Sequence, residues 1–462
     1  GLPGVGKTET VLRAAKDFRF LYHRVPPLSD PHQRRALAAT LETFRWGGEA
    51  GARDAAHEGP PPSDLTAEST GTWEGLFQTM VDRVPEGRAL VVVVDDAHRW
   101  VESRARFEPV LQESLKKANV LGRSVHVTLV APELPLTRLG GEYLLPPLHL
   151  APLSFRAASN FLPGATTREK LRSYTVFGGL PGVLTLLDTR ATLASNVRRL
   201  VLGREAPLRE APLTLLERIF QRPNRYAAIL ASIASGEGDW GTVQAGVGDL
   251  TASGQAGPYL KRLEEVGLLE SRRSLDASPR TRSRRYRLTD PFIAYWYRFV
   301  LPLRESLAMP PLESGHPTRS GSLGREEGKA AEAKGLPAGF DSQVDSILPE
   351  VCRSYMAFDA MELLGANARE WGSLWGPGYE IPVAGILRNG TPFYGHVVPG
   401  EAPINTSALT ALDAQIRETR FGFGRERRLR ILFGGGKVSP ALLRQMARRD
   451  DAVLVDLDTL GQ

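Results

Sequence analysis

The first eight residues of the sequence follow the pattern G-x-x-x-x-G-K-[ST] at every fixed position. Loops of this kind curl backbone N–H groups around phosphate oxygens, which requires glycines, while the lysine adds a point charge. The pattern also occurs by chance in glycine-rich loops before helices, so a second motif is needed. The residues that we expect to bind the phosphates of a nucleoside triphosphate are Gly1, Gly4, Val5, Gly6, Lys7 and Thr8, with the Thr8 hydroxyl on Mg²⁺.

The second motif is an apolar, mostly β-branched run from Ala89 that ends in Asp95 and Asp96. Such a run is typical of a strand buried on both faces of a parallel sheet. An ordinary core strand with a solvated end has the same pattern, but a phosphate loop followed by this strand is the Walker A and Walker B pair. In that interpretation Asp95 holds Mg²⁺, and Asp96 is the candidate catalytic residue that orients or deprotonates the attacking water.

Hydrophobic periodicity predicts an α/β fold for residues 1–153, a P-loop nucleotide-binding domain with a parallel sheet. The predicted elements are a helix over 8–18, a strand over 20–25, a helix over 73–84 and a strand over 124–130, with a mobile loop over 47–72. A phosphate loop normally follows an anchoring strand, and here the chain begins at the loop without Met. We therefore expect a truncated domain or a native start further upstream.

The composition is ordinary for a globular protein of about three domains. Of the 462 residues, 42% are hydrophobic and 24% charged, and the net charge of +6 favours an acidic partner. The single Cys352 excludes an internal disulfide framework, and no apolar run approaches the roughly 18 residues of a membrane span. The expected location is the cytoplasm, with no membrane contact.

Three further segments complete the predicted organisation. Residues 154–223 are expected to form a helical lid, and 309–340 form a linker rich in Pro, Gly, Ser and charge. Residues 224–308 show three helical patterns and then a basic two-stranded stretch, the order of a winged helix-turn-helix. Its candidate DNA-binding residues are Arg272, Arg273, Arg282, Arg284 and Arg285. A solvated hairpin, or a protein-docking module, would share the pattern.

Several stretches in this order resemble the prokaryotic STAND/AAA-like ATPases often called archaeal-type ATPases. The matching stretches are residues 4–8, 93–96, 150–155, 177–181, 259–268 and 286–299, the last with an unusual density of aromatic residues. The resemblance implies a phosphate-loop domain, a winged helix and a nuclease-like C-terminal α/β domain over 341–462. It also implies that Pro181, in Gly179-Leu180-Pro181, packs near the adenine of ATP.

The resemblance extends to the PD-(D/E)xK nuclease fold, whose chemistry needs several acidic residues and a lysine around divalent metal ions. Glu350 matches the helical acid of that site. Pro382 stands where the metal-binding Asp is expected, and His396 and Val398 replace the Glu and the Lys. We therefore predict a degenerate nuclease fold without nuclease activity.

Two functions agree with this organisation. The first is an ATP-binding switch, an ATP hydrolase that acts on double-stranded DNA through its winged helix, with a protein partner or a second copy of the chain as further partners. The second is a non-enzymatic DNA-binding or scaffold relic whose ATPase and nuclease domains are inactive. A measurement of ATP binding distinguishes these two functions.

Overall fold

The structure is a computed structural model that describes residues 2–44, 71–103, 107–131, 148–236, 238–246, 256–278, 280–281, 283–308, 336–425 and 427–461. Contacts divide the chain into two compact units, Gly1–Ala151 and Pro152–Gln462. Gly1, Arg282 and most of the predicted loop over 47–72 and linker over 309–340 lie outside the described residues.

The first unit contains a parallel sheet in the order β1–β2–β3. Its strands are β1 (Phe20–Arg24), β2 (Ala89–Asp95) and β3 (Ser124–Leu129). Its helices are α1 (Lys7–Ala15), α2 (Asp30–Thr43), α3 (Trp73–Asp82), α4 (His98–Glu102) and α5 (Phe107–Val120). The predicted α/β class and the parallel sheet are confirmed.

The central strand β2 is buried on both faces because apolar residues occupy every position of its interior. Leu90, Val92 and Val94 belong to the core that contains residues of α2, α3 and α5. Val93 packs with Ala15 of α1 on the opposite face. Since side chains alternate along a strand, Asp95 shares its face with Val93, the face that α1 covers.

The second unit begins with a helical part. Its helices are α6 (Phe155–Ser159), α7 (Thr167–Phe177), α8 (Pro181–Leu184), α9 (Leu193–Val197), α10 (Ala211–Ile219), α11 (Pro223–Ile233), α12 (Trp240–Gly246) and α13 (Gly257–Glu265). An antiparallel hairpin follows, formed by β4 (Leu269–Arg272) and β5 (Arg285–Leu288). The chain then continues through α14 (Pro291–Tyr295), a π-helical turn at Trp296–Val300 and α15 (Leu301–Ala308).

A five-stranded sheet in the order β10–β9–β8–β7–β6 forms the C-terminal part of the second unit. Its strands are β6 (Ala368–Gly376), β7 (Tyr379–Leu387), β8 (Pro392–Val397), β9 (Leu429–Gly434) and β10 (Ala452–Asp456). The helices of this part are α16 (Phe340–Phe358), α17 (Met361–Leu364), α18 (Thr406–Glu418), α19 (Pro440–Met446) and α20 (Leu457–Gly461). β6, β7 and β8 pair antiparallel, whereas β8, β9 and β10 pair parallel.

The predicted lid shares a hydrophobic core with this sheet. Phe155 of α6 and Leu171 of α7 belong to the same buried cluster as Val351 of α16 and Ile431 of β9. The segments predicted as separate lid and C-terminal domains therefore lie in one compact unit. In the described part of the chain, no helix is both long and apolar enough to cross a membrane.

Candidate functional site

The phosphate-loop residues lead directly into α1. Gly4 and Gly6 have φ angles of 78° and 89°, a left-handed conformation that side chains rarely adopt. Gly6 is the N-cap residue of α1, so the loop ends where the helix presents its unpaired N–H groups. Lys7 donates from Nζ to the Leu2 carbonyl at 2.8 Å, which folds its side chain back along the loop.

Thr8 joins this loop to the end of β2. Its hydroxyl donates to Oδ2 of Asp95 at 2.8 Å, across 87 positions of sequence. Asp95 is buried, and its Oδ1 accepts the backbone N–H of Asp96 at 2.9 Å. The two predicted motifs therefore meet at one carboxylate.

Tyr22 of β1 is a third partner of that carboxylate. Its hydroxyl donates to Asp95 Oδ2 at 2.9 Å. Burial, together with this hydrogen bond, raises the pKa of Tyr22 to about 12, so Tyr22 stays a neutral donor. Burial lowers the pKa of Lys7, and the charges of Asp95 and Asp96 oppose that shift.

Asp96 has an unusual backbone. Its φ of 56° makes it the single non-glycine residue with positive φ in the described part of the chain. Such a conformation costs about 1–3 kcal/mol and occurs preferentially at functional sites. Its Oδ2 lies 3.0 Å from Nε of Arg24 and 3.2 Å from a terminal nitrogen of Arg99. Two guanidinium groups therefore neutralise the predicted catalytic carboxylate.

The donor set suits the group that the motifs imply. A hydroxyl and a carboxylate, from Thr8 and Asp95, are hard oxygen ligands of the kind that Mg²⁺ prefers. The left-handed glycines leave the loop backbone uncovered by side chains, as close approach of phosphates requires. Thr8 and Asp95 would hold the ion, and Lys7 would leave the Leu2 carbonyl for a phosphate.

The sequence interpretation missed Tyr22, Arg24 and Arg99. The strand register pairs Tyr22 with Val93 and Arg24 with Asp95, so both side chains lie on the face of Asp95. The sequence signal for these two residues was their alternate spacing near the end of β1, the strand that precedes the acidic strand β2 in the chain. Arg99 had a weaker signal, three residues after Asp96.

The hairpin arginines bind carboxylates and other groups of their own unit. Arg272 contacts Glu350 at 2.7 Å and Glu270 at 2.8 Å, and Arg284 donates to the Ser271 hydroxyl. Arg285 pairs with Glu380 and lies 4.6 Å from the centre of the Trp375 ring. Arg273 is exposed. DNA binding by these residues stays a prediction, and for Arg272 and Arg285 it requires these ion pairs to break.

Glu350 lies in this ionic cluster. Besides Arg272, it contacts Arg353 at 3.0 Å and Arg287 at 3.2 Å. Burial alone would raise the pKa of Glu350, but the charges of Arg287, Arg353 and Arg272 outweigh it and hold that pKa well below its usual range. The acid that the resemblance assigns to a nuclease site therefore binds arginines.

The other nuclease-site positions carry no acid. Val398 is buried in the core between the sheet and α18, and the Pro382 carbonyl accepts a hydrogen bond from Arg353 at 2.6 Å. Burial lowers the pKa of His396. No group of three metal-binding side chains occurs among the described residues.

Pro181 begins α8 in the second unit, after a turn that a buried carboxylate holds. Asp290 is fully buried and accepts N–H bonds from Phe292 at 2.9 Å and from Gly179 at 3.2 Å. Gly178 has a φ of 66°, and a Cβ there would lie 2.4 Å from Asp290. The role of Pro181 at an adenine stays a prediction.

Comparisons with known proteins give limited similarity. No family model matches the sequence. The uncharacterized protein MJECL04 of Methanocaldococcus jannaschii is 26% identical over 248 residues, which are 50% of this chain and 52% of that protein. The chain thus spans about half the length of this curated relative.

Two solved structures are similar in part. The Walker-type ATPase PABY2304 of Pyrococcus abyssi has a TM-score of 0.45 at 14% identity, over 64% of this chain and 89% of that one. The Drosophila ORC bound to DNA has a TM-score of 0.24 at 14% identity, over 61% of this chain and 84% of that one.

Proposed function

We propose that the first unit binds a nucleoside triphosphate, ATP as the first candidate, together with Mg²⁺. The observation that carries the proposal is the 2.8 Å hydrogen bond between the Thr8 hydroxyl and Asp95 Oδ2. In a phosphate-loop site these two groups hold the metal ion, which neutralises charge on the phosphates.

Each side chain has a distinct part in this proposal. Lys7 supplies a positive charge to the β- and γ-phosphates, and Gly4 and Gly6 allow the loop backbone to approach them. Tyr22 orients the Asp95 carboxylate through its hydroxyl. Asp96 would accept a proton from the attacking water, which makes the protein an ATP hydrolase.

The ion pairs of Asp96 give this site the properties of a switch. Arg24 and Arg99 both contact Asp96 Oδ2, so this oxygen is engaged by two guanidinium groups and is not available to a water molecule. Arg24 is 68% exposed and can move towards a negatively charged γ-phosphate. Nucleotide binding would then release Asp96 for catalysis.

The Mg²⁺ dependence of ATP binding tests this proposal. Fluorescent ATP should bind more tightly with Mg²⁺ than with a chelator, and Thr8→Val and Asp95→Asn should each abolish that gain. Thr10→Val is the matched control, because the Thr10 hydroxyl bonds the Gly6 carbonyl at 2.9 Å and does not contact Asp95. Parent protein that binds no ATP would favour the alternative, a non-enzymatic scaffold.

For the second unit, the proposal is a winged helix followed by a degenerate nuclease-like domain. Helices α11, α12 and α13 followed by the β4–β5 hairpin support the former. The degenerate nuclease-like domain is supported by the order of its elements. Helix α16 is followed by the antiparallel strands β6, β7 and β8, and then by helix α18 and the parallel strand β9. The ion pairs of Arg272 and Arg285 favour a hairpin that docks on the C-terminal sheet over one that reads duplex DNA.

A further inference from the structure

A loop on the C-terminal sheet has a rigid base. This segment, residues 419–428 between α18 and β9, is here called the Phe423 loop. At its base the Phe421 ring packs against Tyr394 with ring centres 6.2 Å apart, and the Tyr394 hydroxyl donates to the Phe421 carbonyl. Gly422 has a φ of 65°, and a Cβ there would lie 2.7 Å from the Tyr394 hydroxyl, so only glycine fits.

The tip of this loop presents an aromatic ring to solvent. Phe423 is 82% exposed, although its neighbour Phe421 packs inward. Two turns fix it, because its N–H bonds the Arg420 carbonyl at 3.1 Å and the Arg425 N–H bonds the Gly422 carbonyl at 3.2 Å. A buried Phe side chain stabilises a fold by about 1.5–3 kcal/mol. The fold gains almost none of this from Phe423.

Arginines are frequent in the sequence on both sides of Phe423. Residues 417–430 contain six arginines and two glutamates, a net charge of +4 within a protein whose total is +6. Arg420 and Arg425 are exposed, and no carboxylate of the described residues forms an ion pair with either. The remaining 448 residues together carry a net charge of +2, and Arg430 of this segment pairs with Asp413 and Asp451 outside it.

A second segment extends this basic surface. β9 and β10 are parallel neighbours, so the loops before them meet at one edge of the sheet. Arg427 donates to the Asp450 carbonyl at 3.1 Å, which brings the turn before β10 beside the Phe423 loop. Arg448 of that turn is exposed. The loop that carries the exposed ring and the turn that carries Arg448 are therefore neighbours at this edge of the sheet.

We propose that the Phe423 loop, with Arg448, binds single-stranded nucleic acid. An unpaired base stacks on the Phe423 ring, and the arginines contact the phosphates on either side. Duplex bases are stacked on each other and leave no face for the ring, and the carboxylates of an acidic peptide can pair with the arginines but do not stack on the Phe423 ring. This proposal does not depend on the nucleotide site proposed above, which belongs to the first unit.

Fluorescence anisotropy with the full chain, without added nucleotide, tests this inference. The probes are labelled oligothymidylate and oligouridylate of about 20 nucleotides, a duplex of equal length, and vesicles containing phosphatidylserine. Phe423→Ala should weaken binding to a single strand by about 5- to 150-fold, and Phe423→Trp should restore it because it restores a ring. Phe423→Leu should behave like Phe423→Ala.

A salt series tests the arginines. Each lost phosphate contact lowers the slope of log affinity against log salt by about 0.7 for single strands, so Arg420→Ala with Arg425→Ala should lower it by about 1.4. Two matched controls should leave binding unchanged. One is Phe358→Ala, which removes a ring that is 65% exposed, and the other is Arg190→Ala with Arg204→Ala, which removes two exposed arginines.

Four results would overturn the inference. The first is that the folded protein binds no single strand at low salt, and the second is that it binds the duplex as tightly as either single strand. The third is that it binds vesicles and not nucleic acid, and that Phe423→Ala abolishes the vesicle binding. The fourth is that Phe423→Leu binds single strands as well as the parent. Preference between the two single-stranded probes identifies DNA or RNA as the partner.

Discussion

Replacement of Glu350 by Gln tests the ionic cluster that joins the hairpin to the C-terminal sheet. Glu350 contacts Arg272, Arg353 and Arg287 at 2.7, 3.0 and 3.2 Å, and only 27% of its side chain is exposed. Loss of one partner from a buried ion pair costs about 3–5 kcal/mol, because charges remain without compensation. Glu270 still pairs with Arg272 and Arg287, so we expect a loss of about 3 kcal/mol.

The pH dependence gives this prediction a second, specific signature. A carboxyl whose folded pKa is lowered contributes stability above its unfolded pKa of 4.5, and this contribution is lost as pH falls below that value. The gap in unfolding free energy between parent and Glu350→Gln should therefore be constant from pH 7 to about 5. It should then shrink by about 1.4 kcal/mol per pH unit of further acidification.

Differential scanning calorimetry measures both effects. At about 2 °C per kcal/mol for a unit of this size, Glu350→Gln should lower the melting temperature by about 6 °C at pH 7. The exposed Glu362→Gln is the matched control and should change stability by less than about 0.5 kcal/mol. Equal melting temperatures for parent and Glu350→Gln, or a gap that does not shrink in acid, would refute the role of the cluster.

Three further predictions concern other sites. Gly178→Ala should destabilise the protein by at least about 2 kcal/mol in thermal melts, since the added Cβ would meet Asp290. Gly164 is also at positive φ but has open space around it, so Gly164→Ala should cost only about 1 kcal/mol, and equal losses for the two variants would contradict this. Asp96→Asn should keep ATP affinity within about twofold and reduce phosphate release by at least about 100-fold, and unchanged turnover would remove Asp96 from catalysis. No metal-dependent DNA cleavage is expected, and cleavage that Glu350→Ala abolishes would show that the nuclease interpretation is wrong.

The sequence was most informative where a local pattern determines local structure. The apolar run before Asp95 predicts strand β2, and the alternation of its side chains places Asp95 on the face of α1. The hairpin β4–β5 also follows the predicted order. Both depend on residues that are near each other in sequence.

Contacts between distant segments could not be predicted in the same way. The basic hairpin has the composition of a nucleic-acid contact, yet Arg272 and Arg287 bind Glu350, more than 60 residues later. Charge composition alone does not say which carboxylates a fold brings near. The sequence also could not predict that Phe423 is exposed, because Phe421, two residues earlier in the same loop, packs against Tyr394.

Isothermal titration calorimetry with Mg-ATP tests the central claim of nucleotide binding most directly. The parent chain should bind ATP, and Lys7→Ala should abolish measurable binding because it removes the positive charge that faces the β- and γ-phosphates, with the melting temperature of the nucleotide-free protein unchanged. Lys16→Ala, at an exposed lysine just after α1, removes the same charge and should bind like the parent. Lys7→Ala that binds Mg-ATP as tightly as the parent would contradict the phosphate-loop assignment.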